Sequence, residues 1–155
     1  LILKTAFIFA MVGYGTKAGL APTHTWLPDA HSQAPGPVSA MFSGFMLNAA
    51  LYCIIRNAAI VNKALGSADF TNHLYILMGL LSIIVAAAFI ISQHDIKRLL
   101  AYHSVEHLGI IALGLGLGPA GIFAALFHTL NHSVCKSLSF FAAARLGQFH
   151  ESYDM

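Results

Sequence analysis

The sequence predicts an all-α, polytopic transmembrane helical bundle, and three observations predict it. Hydrophobic residues make up 57% of the chain and charged residues only 9%, against about 25% charged in an ordinary soluble domain. Mean hydropathy is +0.72. The apolar residues also fall into about five runs, each near the roughly 20 residues needed to cross a hydrocarbon core.

The first run covers residues 1–21 and is closed by Pro22, which lacks a backbone donor and disrupts a helix. Residues 23–37 are the longest non-apolar window near the start, with His24, Trp26, Pro28, Asp29, His31, Pro35 and Pro37. Trp26 suits a membrane interface, where its ring is apolar and its N–H is wet. The second run covers 38–59, with Pro37 fit for a first helical turn. A polar loop, 62–72, leads to the third run, 73–92, which is uncharged between Leu74 and Ile91. After the turn at 93–98 comes the fourth run, 99–117, interrupted by His103, Glu106 and His107. The fifth, 120–146, carries His128, Asn131, His132 and Lys136. By alternation, the 23–37 loop, the 93–98 turn and the C-terminal tail share one membrane side. The 60–72 loop and the 117–119 turn share the other. Lys97, Arg98 and Arg145 lie on the first side and Arg56 and Lys63 on the second, and three against two leaves orientation open. The chain starts directly on an apolar run at Leu1-Ile2-Leu3, so it reads as an internal stretch of a longer protein.

Net charge is +2, and no basic cluster or stacking platform appears, which argues against nucleic-acid binding. Cys53 and Cys135 stand alone inside apolar runs. That pattern predicts neither a disulfide nor an iron–sulfur cluster, and no cofactor is expected. Gly116-x-Gly-x-x-Gly121 matches a dinucleotide fingerprint as a string but follows a membrane helix rather than a strand.

His128, His132 and Lys136 are spaced four and four, which puts them on one helix face over roughly 12 Å. Three titratable groups in a hydrocarbon-length run must face protein or water. Bridged by water, they form a plausible proton relay, since histidine titrates near neutral pH. Two other readings stay open: interhelical hydrogen-bond glue, and a metal site. The metal reading has His-x-x-x-His but lacks the glutamate of a zincin, because position 129 is threonine, and no carboxylate or cysteine completes a shell nearby. No metal is expected. Lys17, five residues before Pro22, is either a buried proton carrier beside a broken helix or a lysine that snorkels to the interface. Glu106 and His107 either tune a neighbouring lysine or form an interfacial pair. Asn48 is the strongly polar side chain near the middle of the second run, able to bond water or a helix but not to carry a proton charge.

Three stretches together resemble a known family. They are Lys17-Ala-Gly-Leu-Ala-Pro22-Thr-His24-Thr-Trp26-Leu-Pro28-Asp29-Ala-His31 with Ala34-Pro35-x-Pro37, then Asp95-Ile-Lys97-Arg98-Leu-Leu-Ala-Tyr102-His-Ser104, then His128-x-x-x-His132-x-x-x-Lys136. This order is similar to the antiporter-like proton-translocating subunits: L, M and N of complex I, the membrane subunits of group-4 hydrogenases, and the large subunits of Mrp-type antiporters. Ser104-Val-Glu106-His107-Leu-Gly is most like the F-type component of the hydrogenase-4 and formate hydrogenlyase complexes. The resemblance implies that residues 1–155 are an internal fragment of one antiporter-like transmembrane domain in a bacterial or archaeal cell membrane. It would move protons, carry no redox centre itself, and work beside other membrane subunits and a peripheral redox arm. It implies that Lys17 is the broken-helix lysine and that His128, His132 and Lys136 link two half-channels. Asn48 falls where some relatives carry a bridging lysine, so water or Ser43 would have to bridge. The partner glutamate and exit lysine of the family are expected outside this stretch. The alternatives are an Mrp-type cation/proton antiporter subunit and a structural membrane scaffold.

Overall fold

The computed structural model describes residues 1–150 and Tyr153. Its elements are all helical: α1 (Ile2–Ala18), α2 (Trp26–Gln33), α3 (Gly36–Leu65), α4 (Asp69–Ile90), α5 (Ile96–Gly116) and α6 (Pro119–His150). Three of them, α3, α4 and α5, are long and apolar enough to cross a membrane. At 17 residues, α1 is not among them, and neither is α6.

Glycine, not proline, stops α1. Gly19 takes a left-handed conformation (φ 85°), and Leu20 N–H and Gly19 N–H close back onto the Gly15 and Thr16 carbonyls at 2.9 and 3.2 Å. A residue without a Cβ adopts this cap at little steric cost. Pro22 falls in the turn beyond, so the first helix ends three residues before the expected boundary at 21. The expected loop at 23–37 contains a helix, α2. Its Pro28 is the third residue, where the backbone N–H has no intrahelical partner to lose. Asp29 suits the positive end of the helix dipole.

Helix α3 runs six residues past the expected end at 59, to a left-handed cap at Gly66 (φ 72°). Falling hydropathy at Asn62 and Lys63 marks the edge of the apolar run, but both are tolerated in a helix. Asp95 caps α5 by accepting from Arg98 N–H at 2.7 Å, a normal N-cap role. Pro119 opens α6, where its fixed φ fits.

Helices α4 and α5 are neighbours, and α5 also packs on α6; α1 lies along α3, and the start of α3 lies along α6. The α4–α5 seam is made by Gly79 against Gly109. A Cβ on Gly79 would come within 2.7 Å of the Gly109 carbonyl oxygen. Gly79→Ala is therefore expected to cost about 1–3 kcal/mol through overpacking, read as a lower thermal midpoint of the detergent-solubilised protein.

The two ends of the bundle follow the alternation read from the sequence. At one end Lys97 and Arg98 meet α2, and Ile96 N–H donates to the Tyr153 carbonyl at 3.1 Å. At the other, Asn62 and Asn72 border the same cavity as Gly118 and Pro119.

Candidate functional site

Helix α6 has two faces. Phe123, Phe127, Leu130, Val134 and Leu138 are exposed, while His132 and Lys136 are only 3% and 6% exposed and His128 is half-buried. Across from them, α5 presents His107. Its Nδ1 lies 3.0 Å from His128 Nε2, so one ring donates and the other accepts. The His107 ring centre is 5.1 Å from that of His128 and 5.7 Å from that of His132. Neither ring nitrogen of His132 has a hydrogen-bond partner among the described residues. A cavity of about 160 Å³ is lined by His107, His128, Asn131, His132, Cys135 and Lys136.

Lys136 Nζ donates to the Leu100 carbonyl at 3.1 Å. The Ser104 hydroxyl donates to the same oxygen at 3.0 Å and lies 2.9 Å from Ser43 Oγ. Ser43 is thus one hydroxyl and one shared carbonyl away from the lysine. It sits in a π-helical turn, Phe42–Met46, inside α3. Such turns insert one residue into an α-helix and are frequent at functional sites. Gly44, in the same turn, lets α3 close on α6: a Cβ there would strike the Ser137 side chain. One turn on, Asn48 Nδ2 donates to Ser133 Oγ at 2.7 Å and to the Gly44 carbonyl at 3.0 Å. Asn48 therefore ties α3 to α6 beside the histidines, through a serine.

Lys17 lies apart from this cluster. Its side chain is exposed on the last turn of α1. Nζ stands 5.9 Å from the Trp26 ring centre. Trp26 Nε1–H donates to the Thr16 carbonyl at 2.7 Å and folds α2 back onto the end of α1. Pro22 is exposed in the turn between them, and the adjacent Ala21 N–H donates to the buried Ser82 hydroxyl at 2.9 Å, pinning the break to α4. Glu106 pairs with His103 Nδ1 at 3.1 Å.

Several polar residues at the site carry no role that the sequence reveals. His31 is fully buried and stacks on Phe140 with ring centres 4.6 Å apart. His24 is buried edge-on to Tyr102. Both are hidden in the most polar window of the chain. The available signal is the i, i+4 pair Leu27–His31, one face of α2. Lys97, 3% exposed, donates from Nζ to the Ser32 and Ala34 carbonyls at 2.9 and 2.8 Å. Among the described residues no group of three or more His, Cys, Asp or Glu is arranged to hold a metal.

Imidazoles, hydroxyls and an amine gathered between α3, α5 and α6 can hold and hand on a proton. Known proteins share this arrangement of helices. The family described as NADH:quinone oxidoreductase/Mrp antiporter, TM, matches residues 2–154. The chain is 47% identical over 148 residues to the Hydrogenase-4 component F homolog of Methylacidiphilum infernorum (isolate V4), covering 95% of this chain and 31% of that protein. It superposes on a chain of the Mrp complex from Dietzia sp. DQ12-45-1b with TM-score 0.83 and 27% identity, covering 90% of this chain and 26% of that one. It superposes on a chain of the membrane-bound sulfane sulfur reductase, an archaeal respiratory membrane complex, with TM-score 0.79 and 36% identity, covering 87% and 28%. The chain therefore spans between 26% and 31% of the length of these three proteins.

Proposed function

The chain belongs to the NADH:quinone oxidoreductase/Mrp antiporter transmembrane family, and from that premise we propose that it carries protons within an antiporter-like membrane subunit of a hydrogenase-4 or NADH-quinone oxidoreductase type complex. The observation that carries this reading is the line on α6 of half-buried His128 and buried His132 and Lys136, with His107 meeting His128 at 3.0 Å. A hydrocarbon environment holds such groups only where they pair or conduct.

Electron transfer takes place in a peripheral arm, and the coupled rearrangement changes the surroundings of Lys17. The proton then moves through the histidines and Lys136, with water or Ser43 bridging at Asn48, the position where some relatives carry a lysine. In the bilayer the chain forms five spans. The first is the broken pair α1–α2, and the last is α6, whose exposed phenylalanine and leucine face meets lipid or neighbouring subunits. The exposed face of Lys17 is covered in the full-length protein by a helix bearing the partner carboxylate.

Lys17→Ala is expected to abolish proton pumping by the reconstituted complex while leaving it assembled, as read by a pH-sensitive dye in proteoliposomes and by size-exclusion profile. Normal pumping in that variant would overturn the assignment. The superposition on the Mrp complex favours a second reading, a cation/proton antiporter subunit. It predicts ΔpH driven by added Na⁺ with no electron donor present.

A further inference from the structure

We propose that His103 and Glu106 form an access branch, through which protons pass between the polar end of the bundle at residues 93–98 and the His107–His128 pair; this rests on the proton-carrying reading and deepens it. The line on α6 leaves His103 without a part to play. Yet three contacts join it to the site. His107 Nδ1 meets His128 Nε2 at 3.0 Å. The His103 and His107 rings stack with centres 6.4 Å apart and planes at 29°. His103 Nδ1 meets Glu106 Oε2 at 3.1 Å.

Positions 103, 106 and 107 share one face of α5, and His103 is one turn nearer than His107 to the Asp95 cap. The chain of groups therefore steps from the centre of the bundle toward the end where Asp95, Arg98 and Asp29 lie. The His103 and Glu106 side chains are 38% and 29% exposed, unlike the deeply buried His132 and Lys136. A carboxylate inside an apolar helix is sustained by water or a polar neighbour, and a partly open carboxylate–imidazole pair is a ready mouth for a proton path. Lys136 is off this branch, since its amine is committed to the Leu100 carbonyl.

One proton moves per pass. His103, the more open of the pair, takes it up while Glu106 holds its Nδ1–H at 3.1 Å. His103 releases a proton from its other nitrogen through one water to His107, since the stacked rings do not touch. His107 hands a proton from Nδ1 to His128 Nε2. His103 and His107 each gain one proton and lose one, and His128 passes its extra proton on to the His132–Lys136 line, so charge is restored and ring flips restore the tautomers. The titratable groups facing the branch are His107, Glu106 and His103 from α5 and His128, His132, Cys135 and Lys136 from α6.

The test uses the full complex in proteoliposomes, with Glu106→Gln, His103→Gln and the double variant, and Lys136→Ala as control. Each single variant is expected to lower proton flux about tenfold or more. The double variant should fall no further than the worse single one, because both residues serve one route, and Glu106→Asp should recover most of the flux. If Glu106 acts only by tuning Lys136, His103→Gln pumps normally and Glu106→Gln merely displaces the pH profile; that result overturns the branch. Multiplying losses in the double variant also overturn it. Pumping that survives Lys136→Ala instead sinks the underlying reading.

Discussion

Replacing Lys136 by methionine is expected to stop proton transport by the assembled complex, with flux reduced by about two orders of magnitude or more. Methionine keeps the length and the apolar packing of the side chain, so the loss isolates the amine. That amine belongs to a residue 6% exposed and donates to the Leu100 carbonyl at 3.1 Å. The carbonyl keeps a donor in the variant, because Ser104 already reaches it at 3.0 Å. The fold should therefore survive, which separates transport from assembly. Lys136→Gln distinguishes relay from glue: a glutamine can still donate to Leu100, so a scaffold role predicts full transport and the proton-carrying role predicts little. The measurement is dye-reported acidification in proteoliposomes, normalised to complex content.

Lys97→Met is expected to do the opposite, harming structure first. Lys97 is 3% exposed and donates two short hydrogen bonds to the end of α2, at Ser32 and Ala34. Its Nζ also stands 4.4 Å from the Tyr153 ring centre. Removing a buried cation from two carbonyls costs about 3 kcal/mol or more, since each hydrogen bond to a charged group contributes about 1.5–3 kcal/mol. The adjacent Arg98–Asp29 pair, at 3.1 Å, has side chains 42% and 70% exposed, and such surface pairs contribute about 0–1 kcal/mol. Lys97→Met should therefore lower the thermal midpoint and free α2 to proteolysis, while Arg98→Met leaves both nearly unchanged. Equal effects would show that α2 is held by other contacts.

The bundle and the histidine line of α6 are legible in the sequence because both are one-helix patterns. A run of apolar residues marks its own span, and a four-four spacing marks its own face. Contacts between helices are not legible in this way. Nothing local in the sequence announces that Ser104 and Ser43 meet, or that Asn48 finds Ser133, because these pairs are 61 and 85 positions apart. Helix α2 is hidden by its prolines and polar residues, although Pro28 sits where a missing N–H does no harm. The sequence leaves Lys17 open between burial and the interface, because its exposure depends on which other helices stand beside it. Lys97, a basic residue in a polar turn, has the look of a surface charge, and only the folding of α2 over it makes it otherwise.

The π turn at Phe42–Met46 sets a phase. Each residue added to or taken from an α-helix turns everything after it by about 100°. The extra residue in this turn is therefore a rotation held in the chain, and it aims both Gly44 and Asn48 at α6 from one helix. Relaxing the turn to ordinary α geometry would swing the Asn48 side of α3 away from Ser133 while leaving Ser43 almost in place.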